Sequence, residues 1–252
     1  METHHLLLML LLATSLISCE GGDILFKDDF SGNLDHWFLE GTGKASITKD
    51  GMLCVETKTP TVIWIKTKFP GDVRIDFDAK TDDAKARAIL MFLAESTKQD
   101  TIFDWERKGD YCEYAFDERI ALYTIGMLRG FTKGESNLRK LGGNLKPEWK
   151  KLAIRDRDKI SKEERKRINA DFQKGSIMSG AMDGCDLGKV HHITCVKKGS
   201  RIRYSVDGKL VHDVADDGSF GGTPVENGWI GFRNFGKGTK VFYDNVVVTA
   251  VK

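Results

Sequence analysis

The chain of 252 residues carries a formal net charge of +2, and 40% of its residues are hydrophobic. A balance this close to neutral argues against a dedicated nucleic-acid-binding or membrane-surface protein, because such proteins concentrate one sign of charge on the binding face. The hydrophobic content is sufficient for a core, and 26 glycines against four prolines indicate many turns. We therefore expect a β-rich globular protein with no nucleic-acid partner.

The first segment predicts export. Leu6 to Leu12 form an apolar run that is too short for a permanent membrane helix and has the length of a signal-peptide core. The run leads to Leu16-Ile17-Ser18-Cys19, which resembles the lipobox of bacterial lipoproteins, so residues 1–19 would be a signal peptide and Cys19 the lipidated residue. Because Met1 to His5 contain no Lys or Arg, a plain secretory signal is the alternative. We expect a cell-envelope lipoprotein, periplasmic or on the outer surface, held to the membrane only by its lipid anchor.

Alternation of apolar and polar side chains predicts a series of short strands. Val73–Lys80 and Arg201–Val206 follow the period of two that marks a half-buried strand. Asp207-Gly208 between two such runs is a strong hairpin signal, because both residues tolerate a positive φ. These strands predict an all-β fold, a two-sheet antiparallel jelly-roll sandwich, as one domain over residues 20–252. The predicted strands are residues 24–26, 45–47, 52–57, 62–66, 73–80, 88–93, 112–116, 121–125, 190–196, 201–206, 209–214, 228–233 and 241–249.

Residues 146–176 interrupt the strand pattern as a charged insertion. Ser161-Lys162-Glu163-Glu164 predicts the capped start of a helix, and Ile168 and Phe172 could dock that helix by one narrow stripe. Between Lys146 and Lys174 there are eleven Arg and Lys against six Asp and Glu. The favoured interpretation is a solvated excursion between strands, and the alternative is a basic flap over a site for an acidic polymer.

The cysteines other than Cys19 are even in number, so disulfides are permitted in an exported protein. Cys54 and Cys195 lie inside predicted strands and are interpreted as small core residues. A bond between Cys112 and Cys185 is left open by the sequence. Because no CxxC or HExxH spacing is present, a zinc site is not expected.

Short motifs in one order along the chain resemble a known family. They are Asp35-His36-Trp37, Glu40-Gly41, Trp64, Phe69-Pro70, Tyr111, Glu113-Tyr114, Ala121-Leu122-Tyr123, Arg129, Asn137-Leu138-Arg139-Lys140, Asp216-Asp217-Gly218 and Gly231-Phe232-Arg233. This collinear set is similar to the YesU-like family, bacterial proteins found among genes for pectin (rhamnogalacturonan) degradation. The resemblance covers nearly the whole chain except the charged insertion. It implies a concanavalin A-like fold and a carbohydrate context, and it brings no established catalytic residues.

Residues 111–140 hold the highest density of side chains that could carry chemistry. The candidate catalytic residues are Glu113 and Tyr114, which lie in this segment, and His36, which lies much earlier in the chain. A glycosidase needs two carboxylates about 5–9.5 Å apart. On the predicted strand 112–116, Glu113 and Asp117 share one face but lie roughly 13 Å apart, so they are not a catalytic pair by themselves.

A lyase that acts on a uronic acid needs a base near C5 and donors that neutralise the carboxylate. Tyrosine or histidine can serve as the base, and the planar guanidinium of arginine suits the carboxylate. A structural role is the alternative for each residue, because tyrosines fill cores and arginines cover sheet edges. Asparagine and lysine can also neutralise the carboxylate. The candidates for the base or for the neutralising donors are His36, Tyr111, Tyr114, Tyr123, Arg129, Asn137, Arg139 and Lys140.

Simple glycan binding needs only aromatic rings that stack on sugars and polar side chains that fix their orientation. The candidate rings are Trp37, Trp64, Trp105 and Trp229, although Trp64 lies in an apolar strand pattern that is also typical of a core. Trp105 lies in a polar segment and is the best candidate for an exposed ring. Arg233, from the last matching motif, completes the predicted substrate-binding set.

We therefore predict an exported protein that binds or acts on a polysaccharide. We expect this polysaccharide to contain acidic units, as pectin does. A polysaccharide lyase, a glycoside hydrolase, a binding protein and a non-catalytic subunit of a glycan-uptake complex all remain open, as does the oligomeric state. No cofactor is expected. A structural calcium is possible, because Asp28, Asp29 and Asp244 resemble terminal-strand acids that hold calcium in related jelly rolls.

Overall fold

The computed structural model describes residues 22–128, 135–143, 145–182 and 184–252. The predictions on Cys19 and Arg129 lie outside the described residues. The described strands are β1 (Ile24–Asp28), β2 (Trp37–Glu40), β3 (Lys44–Ile47), β4 (Leu53–Glu56), β5 (Thr61–Ile65), β6 (Phe69–Pro70), β7 (Val73–Lys80), β8 (Arg87–Ser96), β9 (Ile120–Met127), β10 (Glu135–Gly142), β11 (Ile177–Met182), β12 (His191–Lys198), β13 (Arg201–Val206), β14 (Lys209–Ala215), β15 (Asn227–Phe235) and β16 (Lys240–Ala250). The helices are α1 (Cys112–Ala115), α2 (Pro147–Lys150) and α3 (Lys162–Ser176), with a 3-10 turn at Arg157–Lys159.

The strands form two antiparallel sheets, each of eight strands within the described residues. Sheet 1 has the order β14-β13-β12-β7-β16-β4-β3, and β1 pairs with β16. Sheet 2 has the order β11-β10-β9-β8-β15-β5-β2, and β6 pairs with β15. Neighbours such as β7 and β16 are far apart in sequence, which is typical of a jelly roll. The predicted two-sheet sandwich is confirmed.

The inner faces of the two sheets form the main core, because their strands alternate between apolar and polar residues. In β7 the four inward residues are completely buried and the residues between them are partly or fully exposed. Phe77 of β7 meets Phe232 of β15 with ring centroids 4.8 Å apart, which joins sheet 1 to sheet 2. Burying each side chain of this size contributes about 1.5–3 kcal/mol.

The cysteines of the described residues are all free thiols, so Cys112 and Cys185 form no disulfide. Cys195 packs in the main core and Cys54 is buried, as predicted. Burial raises the pKa of both thiols. No helix of the described residues is both long enough and apolar enough to cross a bilayer.

The predicted strand at residues 112–116 is wrong, because Cys112–Ala115 form helix α1. Gly109 has a positive φ of 77°, and it turns the chain sharply just before the helix. The Asp110 side chain then accepts the backbone N–H of Cys112 at 2.8 Å. The Glu113 carboxylate accepts two N–H groups of the preceding turn, at 2.8 and 2.9 Å. These local acceptors satisfy backbone donors that a strand would have to pair with a neighbouring strand.

The predicted helix in the charged insertion is confirmed as α3. Ser161 is its N-cap, and the hydroxyl oxygen accepts the backbone N–H of Glu164 at 3.1 Å. Ile168 and Phe172 are buried, as the narrow apolar stripe predicts.

The outer face of sheet 2 is covered by two segments. We call residues 97–119 the loop covering and residues 145–176 the helical covering. A second apolar cluster lies between these coverings and the sheet. Phe172 of α3 contacts Phe116 of the loop covering and Trp149 of α2, with ring centroids 4.6 and 5.3 Å apart. The interpretation of the insertion as a solvated excursion is therefore corrected, because its apolar residues seal one face of the sandwich.

Candidate functional site

Polar side chains on the outer face of sheet 2 lie in rows that cross the strands. Strand register places Arg233 opposite Ile89, Ile89 opposite Gly126, and Gly126 next to the position of Asn137. The adjacent row on the same face holds Arg139, Thr124 and Met91. The coverings bury Met91 completely, whereas the row from Arg233 to Asn137 is left partly open.

A cavity of about 210 Å³ lies over the open row, and we call it the arginine cavity. Four residues predicted from the sequence to bind substrate meet there: Tyr111, Asn137, Arg139 and Arg233. The whole lining is Ile89, Tyr111, Thr124, Gly126, Asn137, Arg139, Gln173, Arg233 and Phe235. This volume is below the roughly 300–1,000 Å³ of pockets that enclose drug-sized ligands, so it suits one small group or one sugar unit.

Arg233 is a buried cation without a carboxylate partner among the described residues. Its side chain is 4% exposed, and its Nε donates to the carbonyl oxygen of Gly109 at 2.9 Å. Its guanidinium carbon lies 5.8 Å from the ring centroid of Tyr111 and 4.8 Å from that of Phe235. Burial lowers the pKa of Arg233 to about 10, while Asp110 acts in the opposite direction. The group is therefore charged at neutral pH, in a place where an unpaired charge is costly.

Tyr111 brings a hydroxyl that is buried and has no hydrogen-bond partner within the described structure. Its position is fixed because it precedes the first turn of α1, just after the Gly109 turn. Desolvation raises the pKa of Tyr111, and the charges of Arg139 and Arg233 oppose that rise. The hydroxyl is therefore protonated at neutral pH and can donate to a ligand.

Arg139 is held at the opposite side of the arginine cavity by α3. One terminal nitrogen donates to Ser176 Oγ at 2.9 Å, and the other donates to Gln173 Oε1 at 2.6 Å. The helical covering therefore fixes the orientation of one of the two cationic groups. Two guanidinium groups, a phenol and the Asn137 amide can together bind a planar anion such as a carboxylate.

The described lining of the arginine cavity contains no Asp or Glu. A two-carboxylate glycosidase needs an acid and a second carboxylate about 5–9.5 Å apart. Glu113 does not contact this cavity, because its carboxylate caps the turn before α1. It lines a separate cavity of about 290 Å³ between the two coverings. Glu113 therefore has no second carboxylate in the arginine cavity with which it could form a catalytic pair.

Trp64 and Tyr114 are corrected from substrate contacts to buried structural residues. Both are completely buried, and both donate to the Glu40 carboxylate, with Trp64 Nε1 at 3.2 Å from Glu40 Oε2. Arg107 forms an ion pair with the same carboxylate at 2.7 Å. Burial raises the pKa of Glu40, and Arg107 opposes that rise. This network fastens the loop covering to sheet 2.

Trp37, Tyr123 and Lys140 also lie in the interior. Trp37 is 5% exposed in the main core, and its Nε1 donates to Asp28 Oδ2 at 2.7 Å. Tyr123 donates to Asp216 Oδ2 at 2.5 Å, and Lys140 Nζ lies 2.7 Å from the same oxygen. Because these three side chains are enclosed, the prediction that they contact substrate is corrected.

His36 and Trp105 lie away from the arginine cavity. His36 is exposed beside Asp28 and Asp29 in a separate surface cleft. Trp105 is half-buried, with the guanidinium carbons of Arg107 and Arg119 at 4.8 and 5.1 Å from its ring centroid. The ring is therefore less exposed than the predicted platform, and substrate contact by Trp105 stays a prediction.

Within the described chain, no group of three or more His, Cys, Asp or Glu side chains could hold a metal ion. Burial raises the pKa of Asp244, and the charges of Asp78, Asp29 and Asp28 add to this rise. These acids are thus near one another, and the structural calcium stays a prediction.

Sequence reasoning missed Gln173, Thr124, Ile89 and Phe235 in the cavity. The sequence shows that Gln173 follows Phe172, the residue that docks α3. Gln173 can be assigned to the site only when α3 is known to lie over β10.

The chain is similar to known proteins along most of its length. It is 22% identical to the uncharacterised protein YesU of Bacillus subtilis in an alignment of 242 positions that covers 92% of this chain and 98% of that protein. A solved structure of a protein of unknown function with a galectin-like fold, from the same organism, matches with a TM-score of 0.72 and 18% identity over 92% of this chain and 97% of that one. No protein-family profile matches the chain. The predicted resemblance to YesU is confirmed.

Two carbohydrate-related structures share the fold more distantly. The carbohydrate-binding module CBM66 from Bacillus subtilis matches with a TM-score of 0.53 and 14% identity, over 88% of this chain and 99% of the module. The κ-carrageenase from Pseudoalteromonas carrageenovora, in complex with an oligosaccharide of κ-carrageenan, matches with a TM-score of 0.56 and 11% identity, over 94% and 99%. These similarities confirm the predicted sandwich fold.

Proposed function

We propose that the protein binds a carboxylate-bearing sugar, such as a uronate unit of an acidic polysaccharide, in the arginine cavity. The observation that carries the proposal is the buried Arg233, which has no carboxylate partner among the described residues and lies beside the unpartnered hydroxyl of Tyr111. A bound carboxylate would accept from both groups and would remove the cost of the unpaired charge. The carbohydrate-binding and carbohydrate-cleaving proteins among the structural neighbours support a sugar as the ligand.

Binding is the favoured activity over hydrolysis, because the described cavity lining lacks both carboxylates of a glycosidase. β-Elimination is a second candidate, favoured by the position of Tyr111 between two arginines. In that reaction the ionised phenolate of Tyr111 would take the C5 proton, a C4=C5 double bond would form, and the C4–O4 bond would break with its electron pair left on O4, which would take a proton from water. The raised pKa of Tyr111 acts against it as a base. Ultraviolet absorbance of an unsaturated uronate distinguishes the two activities.

The proposal is tested by titration calorimetry with galacturonate oligomers and neutral galactose oligomers of the same length. Wild-type protein should bind the uronates, and Arg233→Met should weaken that binding by about 30-fold or more, because truncating one member of a buried charge pair costs about 2–5 kcal/mol. Thermal stability should stay equal or rise, since an unpaired buried charge is replaced by an apolar chain of similar length.

Arg201→Met is the matched control. Arg201 is an exposed arginine on sheet 1 that pairs with Asp213, far from the cavity lining. Its loss should leave uronate affinity unchanged. Equal affinity for uronate and neutral oligomers, or full uronate binding by Arg233→Met, contradicts the proposal.

We also propose export and lipid anchoring through Cys19, which the sequence motif alone supports. In a bacterial host the protein should fractionate with membranes, because several acyl chains anchor a domain firmly. The Cys19→Ser variant should move to the soluble fraction. Membrane association that survives this change would contradict lipidation at this residue.

A further inference from the structure

The open row of sheet 2 ends against a wall at Arg233. The next positions along the row are Val62 of β5 and Glu40 of β2, which are 0% and 4% exposed. Above them lies the Gly109 turn, whose carbonyl oxygen accepts from Arg233. A chain that crosses the sheet along this row therefore meets packed protein on the β5 side.

The opposite end of the row is open among the residues that the structure describes. Asn137 pairs with Gly180 of the edge strand β11, and Gly180 is exposed. Because Gly180 has no side chain, the β11 position directly opposite Asn137 places no side chain over this end of the row. A Cβ added at Gly180 would lie 3.2 Å from Asn137 Oδ1, so a larger residue there would narrow the entrance.

The flank of the row nearest the second apolar cluster is also closed. Arg139 is tied to Gln173 and Ser176 of α3, and the outward residue Met91 beyond it is 1% exposed. A polymer therefore cannot lie across the middle of the sheet. Among the described residues, the space that remains is closed at the Arg233 end and on the Met91 side, and its charged groups lie at the closed end.

We infer that the arginine cavity recognises the terminal unit of an acidic glycan rather than units within the chain. This inference rests on the proposed function, since it concerns how the same carboxylate site is reached. The terminal uronate enters past Gly180, and its carboxylate meets Arg233 and Tyr111 at the inner end. The rest of the glycan extends outward over β11, where the protein makes few contacts.

The test measures stoichiometry and affinity for galacturonate trimer and for long polygalacturonate, with all concentrations counted in chains. Terminal recognition predicts saturation at one protein molecule per chain for both ligands, and a Kd per chain that differs by less than about tenfold. Binding to internal units predicts many protein molecules per polymer chain and a Kd per chain that falls with length. That second result would overturn the inference while leaving the proposed function intact.

The variant Gly180→Leu provides an independent readout at the entrance. It should weaken binding of the trimer by about tenfold or more, through steric closure beside Asn137. Its matched control is Gly51→Leu, in an open turn where a Cβ meets nothing within 4 Å. Because φ is 79° at Gly51, this control carries more backbone strain than Gly180→Leu. If Gly51→Leu binds the trimer normally, backbone strain alone does not explain a loss of binding by Gly180→Leu. Trimer binding that is unaffected by Gly180→Leu contradicts entry at this point, and absence of uronate binding by the wild type contradicts the proposed function instead.

Discussion

The strands of both sheets alternate inward and outward side chains, but the outer face of sheet 1 is solvated and the outer face of sheet 2 is covered by protein. On sheet 1 the outward residues are charged and paired in water, as in Arg74 with Asp76 at 2.6 Å and Arg201 with Asp213 at 2.6 Å. Pairs of this kind contribute little to stability, because water screens them and two flexible side chains must be ordered. Sheet 1 therefore has an ordinary solvated face.

On sheet 2 the outward residues are mostly apolar, and two coverings turn that face into a second core. The polar groups that remain there are exceptional for that reason. Arg233 and Arg139 carry charge inside or beside a packed region, where each unsatisfied contact costs far more than in water. The same residue type is therefore structural on one face and points to a ligand on the other.

Removing the packing that holds the helical covering in place should have the largest effect on the outer face of sheet 2. Phe172→Ala should lower the free energy of unfolding by about 3–5 kcal/mol, because it leaves a cavity among Phe116 and Trp149. Urea denaturation measures the change. Uronate affinity should fall as well, since α3 also orients Arg139.

Arg201→Ala on the outer face of sheet 1 is the matched control for this change. It removes an exposed pair with Asp213, and its effect should stay within about 1 kcal/mol. A loss of similar size in both variants would mean that the covering of sheet 2 adds no core, and the distinction between the two faces would fail.

Sequence reasoning recovered the framework well, because apolar alternation is decided locally. Val73–Lys80 and Arg201–Val206 were predicted with the bounds that the structure has. The error at residues 112–116 arose because Glu113 and Asp110 accept backbone N–H groups within the turn, a local contact that alternation does not report. Such side-chain contacts compete with strand pairing at short range.

The strand that carries half of the site was missed for a related reason. In β10 the inward residues Ser136 and Lys140 are polar, so the period of two is lost. Both find partners only in the folded protein, Ser136 with His212 and Lys140 with Asp216. Long-range partners of this kind are not visible in one sequence. The resemblance to YesU nevertheless selected Asn137 and Arg139 of β10, which line the cavity, together with the inward Lys140, which does not.

The edge of the sandwich, where β14 of sheet 1 meets β10 and β11 of sheet 2, offers a smaller and more selective test. His212 of β14 is 1% exposed and lies between Ser136 Oγ and Ser179 Oγ, each at 2.9 Å. Ser136 donates to the carbonyl oxygen of Gly126, so it accepts from Nε2–H. A neutral imidazole with its proton on Nε2 can then accept from the Ser179 hydroxyl at Nδ1.

Desolvation lowers the pKa of His212 to about 4 from an ordinary value of 6.5. Between these values the unfolded chain binds the proton and the folded chain does not, so stability is fully present above pH 6.5 and is lost as the pH falls toward 4. The loss attributable to this group is roughly 3 kcal/mol at the lower end.

Urea denaturation across this range should show it in the wild type. His212→Gln, which keeps hydrogen-bonding groups but does not titrate, should show a shallower decline. Parallel pH profiles for the two proteins would mean that His212 is not held neutral. In the wild type, uronate binding should weaken over the same range only as far as unfolding removes Asn137 and Gly126 from the cavity floor, because Arg233 and Arg139 stay charged throughout.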